Sequence, residues 1–410
     1  MYAELIGCAR FRPCGPQPPS LSLGFAKPMS IQPNMVAEHF CQQFDGQPEW
    51  IVRAPGRVNL IGEHTDYNDG FVMPLAIDRA IWIALRPRAD RRVAVHSIDY
   101  NERQEFSLED LTDEKAGWIE YLKGTAWSLM DAGHQLTGFE GIVVGDVPLG
   151  AGLSSSAALE MATARAFAVA GDLPWDPAVM AKLGQRAENR WIGVNCGIMD
   201  QLISAAGQAD HALLIDCRSL ETQPVPFPEG VAIVVLDTST RRGLVDSAYN
   251  ERRSQCESAA EFFKVKALRD VELDLFSQVG HDLDDVTQSR ALHVITENER
   301  TLQAAEAMRR GELAALGVLM NKSHESLRDD YEVSSDALNA MVEAALAHEA
   351  CYGARMTGAG FGGCAVALVR LDAADDFATK TEAAYKEATG HDPAIYVCRA
   401  TNGAEVVSAQ

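Results

Sequence analysis

No stretch of the sequence is apolar for the roughly 20 residues that a membrane-spanning helix needs. Positive charge is also scarce. Lys and Arg total 36 against 58 Asp and Glu, a net charge of -22. A basic footprint for DNA, RNA or an anionic membrane surface is therefore missing. An anionic substrate would need a local positive site, such as a helix N-terminus, backbone N–H groups or a metal. The nine cysteines are scattered and form no CxxC pair, which excludes a disulfide framework and a zinc site. Reduced thiols in a cytoplasmic protein fit this usage. A secretory signal is missing too. Residues 1–27 hold Pro13, Pro16, Pro18 and Pro19 but no basic start and no apolar core. Two readings of residues 1–28 stand: a disordered extension, or a mis-assigned start with Met29 or Met35 as the natural beginning.

The remaining composition is that of a globular protein, 47% hydrophobic and 23% charged, and 410 residues suffice for two or three domains. Periodicity predicts strands over 49–53, 80–86, 92–97, 141–146, 211–216, 231–237, 364–369 and 394–398. It predicts helices over 118–132, 156–169, 177–191, 245–263, 296–308 and 335–348. This mixture implies an α+β or α/β protein. Residues 219–230, with Pro224, Pro226 and Pro228, are expected to break any regular element and to connect two domains.

Four segments carry chemistry. The first is Pro148–Ala158 (PLGAGLSSSAA), between an apolar strand and an alanine-rich helix. Its glycines let backbone approach a ligand, and the helix end favours an anion. Serine hydroxyls can bond phosphate oxygens or Mg2+. The G-K-[ST] ending of the Walker loop is missing. The competing reading is a plain strand-to-helix turn. The second is RAPGRVNLIGEHTDYNDG at 53–70, with Arg57, Asn59, Glu63, His64, Asp66, Tyr67 and Asn68. This is poor helix and poor strand material. Carboxylates, amides and an aromatic suit sugar hydroxyls, whereas the bland reading is a solvated loop of Asx-turns.

The third segment is NCGIMDQ at 195–201, after a helix bearing Glu188. A phosphoryl-transfer enzyme needs one carboxylate for the attacking hydroxyl and one for its metal. Asp200 and Glu188 could serve, although an Asp at this place is more often a helix cap. The fourth is MTGAGFGGC at 356–364, whose glycines permit close approach to a ligand or to another loop.

Together these segments resemble the signature motifs of the GHMP kinase superfamily, and within it the galactokinase family. GRVNLIGEHTDY resembles the sugar-binding signature, PLGAGLSSSAALE the phosphate loop and MTGAGFGGC the third motif. CGIMDQ, SAYNERRSQC around Tyr249 and HVITENER at 293–300 match as well. The resemblance runs from about Ile51 to the C-terminus. It implies a two-domain α+β architecture: a ribosomal-S5-like N-terminal domain over 29–222 and a ferredoxin-like C-terminal domain over 223–410. It implies ATP and Mg2+ as cofactors and galactose as the sugar.

By resemblance, Asp200 is the catalytic carboxylate and Arg57 its partner. Arg57, Glu63, His64, Asp66, Gly197, Asp200 and Tyr249 contact the sugar. Trp118 lies beside the nucleotide base. Gly150, Ala151, Gly152, Leu153, Ser154, Ser155 and Ser156 hold the phosphates, and Ser156 and Glu188 hold Mg2+. Ala151 and Ala359 stand where relatives often have glycine, and the extra methyl is expected to leave function intact. A monomer is expected, binding neither nucleic acid nor membrane. The alternatives are a kinase for N-acetylgalactosamine or arabinose, and a sugar sensor. The complete run Ser154–Ala158 favours an enzyme, because sensors of this kind have a damaged phosphate loop.

Overall fold

After helix α1 (Pro33–Gln43), the chain forms strands β1 (Trp50–Asn59), β2 (Phe71–Val72), β3 (Pro74–Arg88), β4 (Arg92–Ser97) and β5 (Glu102–Ser107). Helix α2 (Ile119–Asp131) and β6 (Gly138–Gly145) follow, then helices α3 (Ser155–Gly171), α4 (Pro177–Ala187) and α5 (Met199–Ala206). Next come β7 (His211–Asp216), β8 (Thr222–Pro226), β9 (Val231–Asp237) and α6 (Val245–Phe263). Helices α7 (Leu273–Val279), α8 (Asp285–Arg309), α9 (Leu313–Asp329) and α10 (Asp336–Leu346) precede β10 (Cys351–Thr357) and β11 (Cys364–Arg370). Helix α11 (Ala374–Thr389), β12 (Ala394–Cys398) and β13 (Glu405–Val407) complete it. The computed structural model describes residues 31–241 and 245–407, so residues 1–28 and Met29 lie outside the described part, while Met35 is inside α1.

Three sheets organise these elements. The largest has the order β13-β1-β3-β6-β4-β5 and is antiparallel except where β4 meets β6. A four-stranded antiparallel sheet has the order β10-β11-β9-β12, and a small one the order β2-β7-β8. Taken in chain order, the four-stranded sheet reads 2-3-1-4, with helices in both crossovers. That is the ferredoxin-like pattern. Strand β9 (VAIVVLD) is buried at every position, as a continuous apolar run between two neighbours should be. Helices α10 and α11 pack together, and Met341, Val342, Phe377 and Tyr385 join one apolar cluster with residues of this sheet. Helix α3 packs against β1 and β3 through Ala158, Met161 and Ala162. Among the described residues no helix is long and apolar enough to cross a membrane.

Two sequence expectations fail for a physical reason, and a third in part. Residues 53–59 are not loop but the second half of β1, whose pairing with β3 shifts register between Pro55 and Arg57. The irregularity absorbs Pro55 and Gly56, which regular pairing disfavours. Residues 219–230 do contain a regular element, β8. It is an edge strand bonded only to β7, where Pro224 and Pro226 need not donate to a neighbour. The expected helix at 177–191 stops at Ala187 and continues as a π-turn over Glu188–Ile192.

Candidate active site

Residues 148–154, the expected phosphate loop, lie directly on β1. A Cβ on Gly56 would stand 2.7 Å from the Leu153 carbonyl oxygen, so only glycine admits the loop here. The backbone N–H of Arg57 then donates to that oxygen at 3.1 Å. The Arg57 side chain spans the gap to α5. Its Nε and Nη2 donate to the two oxygens of Asp200, each at 2.8 Å, and Nη1 donates to the Gly152 carbonyl at 2.6 Å. Ser154 adds an Oγ–H bond to Asp200 Oδ2 at 2.5 Å. Ser154 itself has φ 58°, a left-handed backbone that turns the chain sharply into α3. Asp200 is thus clamped in one rotamer by a bidentate fork and a hydroxyl. Its side chain remains 26% exposed toward the cavity. The helix-cap reading of Asp200 is excluded: it is the second residue of α5, and Ile198 occupies the cap.

Asp200 forms part of a cavity of about 200 Å3. All seven expected sugar contacts line it: Arg57, Glu63, His64, Asp66, Gly197, Asp200 and Tyr249. Glu188, Cys196, Gly358 and Ala359 complete much of the remaining wall. Gly197 is required by its neighbour, because a Cβ there would meet Asp66 Oδ2 at 1.7 Å. Burial, with Asp200 and Glu63 nearby, pushes the Asp66 carboxyl up to about 7.

His64 is buried and pushed down to about 3 by burial and by His293, so its ring is neutral. The Ala359 carbonyl can only accept, so His64 Nε2 carries the proton and donates to it at 3.2 Å. Nδ1 then accepts from the Tyr67 hydroxyl at 2.8 Å, and Tyr67 in turn accepts from Tyr331 at 2.8 Å.

A buried polar layer stands behind residues 60–70, the expected sugar loop. Glu63 accepts from Asn59 Nδ2 and from the Gly358 N–H, and lies 3.9 Å from Arg355 Nη2. Burial raises the Glu63 carboxyl, against the pull of Arg355 and Arg57. Glu297 accepts from the Gly62 N–H at 2.9 Å, from Ser323 at 2.6 Å and from Arg300 at 2.7 Å. Burial pushes its carboxyl up, but Arg300, His293 and Arg355 together outweigh that and hold it down at about 2.

Behind the phosphate loop the layer differs. Gln201 Nε2 donates both to Glu188 at 2.6 Å and to Glu160 at 3.0 Å. Glu188 also lies close to Ser156, the other expected metal ligand. Burial raises Glu188, and raises Glu160 well above the ordinary carboxyl range.

The glycines of the fourth segment serve a loop as well as the cavity. A Cβ on Gly358 would come within 3.1 Å of the Gly152 oxygen, and one on Gly363 within 3.1 Å of the Ala151 oxygen. The phosphate loop therefore rests on this segment. Ala151 itself is fully buried. Trp118 stands at the N-terminal end of α2 and donates from Nε1 to Glu102 at 3.0 Å. The sequence reading missed Glu160, Glu297 and Arg355, along with Arg241. The last stands beside Gly150 and pairs with Asp237 at 2.7 Å. HVITENER and PLGAGLSSSAALE pointed to the segments of Glu297 and Glu160, but no local pattern singled out Arg355 or Arg241.

Three family models match the chain. They are the galactokinase galactose-binding signature over residues 38–87, the GHMP kinase N-terminal domain over 120–208 and the GHMP kinase C-terminal domain over 304–387. Methanococcus jannaschii mevalonate kinase shares the fold, with a TM-score of 0.61 at 20% identity over 88% of this chain and 100% of that one. Fold and matched domains thus define a GHMP kinase. Lactococcus lactis galactokinase, solved in complex with galactose, has a TM-score of 0.86 at 35% identity, covering 90% of this chain and 98% of that one. A galactokinase of Roseiflexus sp. (strain RS-1) is 49% identical over 371 residues, 89% of this chain and 95% of that protein. The chain belongs to the galactokinase family.

Proposed function

We propose that this protein is an ATP-dependent galactokinase, transferring the γ-phosphate of ATP to the C1 hydroxyl of α-D-galactose to give galactose 1-phosphate and ADP. The observation that carries the reading is the clamped Asp200. It faces a sugar-sized cavity and is bonded to both the phosphate loop and Arg57. Glu63, His64, Asp66, Gly197 and Tyr249 supply the wall that fits the sugar, and Asp200 accepts a hydrogen bond or the proton from the C1 hydroxyl. Arg57 holds Asp200 in place and offsets negative charge. Backbone N–H groups of residues 150–156 and the N-terminus of α3 face the phosphates. Catalysis then rests on positioning and electrostatics, with little covalent work for the protein.

The donors of Ser156 and Glu188 fit Mg2+. Both are hard oxygen groups, they lie close together, and the Glu188 carboxyl is desolvated beside Asp200. Mg2+ takes one or two protein ligands and completes its shell with phosphate oxygens and water. Once bound, it would neutralise charge on the phosphates.

The reading includes a division into domains 29–222 and 223–410, a cytoplasmic location and a monomer. It is tested by following ADP release from Mg-ATP with galactose, glucose, N-acetylgalactosamine, arabinose, mevalonate and homoserine. Galactose alone is expected to give rapid release. Asp200→Ala is expected to lower turnover by about 10²–10⁴-fold, the weight of a general base, with an unchanged circular dichroism spectrum. Activity retained in that variant removes Asp200 from the mechanism. Release with another sugar instead reassigns the substrate. Galactose binding without any release points to a sensor.

A further inference from the structure

Both ring nitrogens of His64 are spent inside the protein. Nε2 donates to the Ala359 carbonyl and Nδ1 accepts from Tyr67, so the neutral ring keeps no polar atom for a sugar hydroxyl. Yet His64 lines the cavity, next to Glu63 and close to Asp66 in sequence, and both of those line it too. Its backbone is left-handed, with φ 62°. That conformation is uncommon outside glycine and persists only where the surroundings over-determine it. The two ring bonds do so here, joined by a bond from Asn68 Nδ2 to the His64 carbonyl at 3.0 Å.

The bonding continues away from the cavity. Tyr331 is fully buried, and its hydroxyl lies 3.1 Å from the Sγ of buried Cys256. Arg252 Nε holds the Tyr331 carbonyl at 2.8 Å. A hydroxyl or a thiol owns one proton. Tyr67 spends its proton on His64, so Tyr331 must donate to Tyr67 and Cys256 to Tyr331. The protons therefore all point one way, from Cys256 on α6 to His64 and on to Ala359. Bonds aligned in this manner polarise and strengthen one another.

We propose that Tyr67, Tyr331 and Cys256 are positioning residues for galactose: their one-way chain of bonds fixes the tautomer and tilt of the His64 ring, and through it the left-handed turn that places Glu63 and Asp66 along the cavity wall. The inference rests on the galactose reading of that cavity. His64 then serves the sugar as a wall and a strut, and its ring makes no hydrogen bond to it.

The test compares full-length Tyr67→Phe, Tyr331→Phe and Cys256→Ala. Tyr67→Phe strands the buried Nδ1 and is expected to raise KM for galactose about tenfold, the weight of one buried polar group left unpaired. Tyr331→Phe leaves His64 its own partner and should raise it about threefold. Cys256→Ala, at the far end, should have the smallest effect. The loss should fall on KM for galactose, with turnover and KM for ATP unchanged. In nitrogen-15 NMR the His64 Nδ1 signal should move toward that of an unbonded imidazole nitrogen in Tyr67→Phe, and less in Tyr331→Phe. Galactose added to the unaltered protein should leave both His64 nitrogen signals in place. An unchanged KM for galactose in Tyr67→Phe overturns the proposal, as does a His64 nitrogen that changes partner when galactose binds. Equal losses in all three variants also overturn it, since they would report loosened packing. Failure of the parent reading looks different: the unaltered protein would then not bind galactose in calorimetry.

Discussion

The loop that brings Glu63, His64 and Asp66 to the cavity and the expected phosphate loop beside it are backed by layers of different charge. Behind the sugar loop, buried Glu297 is answered by Arg300, Arg355 and several N–H and O–H donors, and it stays ionised. Behind the phosphate loop, Glu160 and Glu188 share the Gln201 amide, and burial, with Asp200 nearby, raises both. The difference is instructive. A layer satisfied from within can hold its loop in shape before any ligand arrives. A layer short of positive charge is completed by what binds. On the proposed function, selectivity for the sugar would then come from a preformed template, and an incoming cation would complete the phosphate side.

The sharpest way to break this comparison is Glu188→Gln, which removes one charge from the deficient layer and keeps its shape. Turnover should fall about 10³-fold, because a metal's charge stabilisation is worth several kcal/mol. The free protein should nevertheless become more stable, with Tm rising by about 2 °C for a gain of roughly 1 kcal/mol. A lower Tm by calorimetry would mean that the layer is not short of positive charge.

Arg355→Met probes the other layer. It should cost about 2–3 kcal/mol in urea unfolding, toward the low end for a broken buried pair. Arg300 continues to pair with Glu297, and Arg355 Nε and Nη2 already make no hydrogen bond. No loss of stability would show that the layer does not hold the loop.

The smallest effect concerns pH. Burial raises Asp66 to about 7, so the free protein favours the protonated form. The stability this contributes is full below the unfolded value and is lost as pH rises toward 7. Sugar hydroxyls donate best to the ionised carboxylate. Galactose affinity should therefore strengthen about tenfold between pH 6 and 8, following the ionised fraction of one group. Calorimetry on Asp66→Asn should show a flat profile, and a slope surviving there would assign the effect to another group.

Much of this was legible in the sequence where local pattern governs. Strands β4, β7, β9 and β12 and helix α6 run between the residues that their periodicity indicates. The seven candidate sugar contacts, drawn from three separate segments, meet in one cavity. What local pattern could not supply was pairing at a distance. β1 absorbs a proline and a glycine because β3 and the phosphate loop hold it on either side. Arg355 looked like an ordinary strand arginine, yet it is fully buried and donates to the Asn59 carbonyl at 3.0 Å. Glu160 passed as one helix residue among alanines, and only Gln201, reaching it from α5, reveals its place.

The order in which the chain is made gives one last feature its weight. Strand β13 closes the edge of the large sheet beside β1, and Arg53 fastens it through Glu405 at 2.6 Å and Thr401 at 2.7 Å. The strand that carries Arg57 is thus made long before its outer neighbour. Until β13 follows, β1 presents an open edge, the kind of surface on which chains pair wrongly. Docking of β13 is the event that seals it. A protease that removed β13 would reopen that edge and undo this step of assembly without touching the active site.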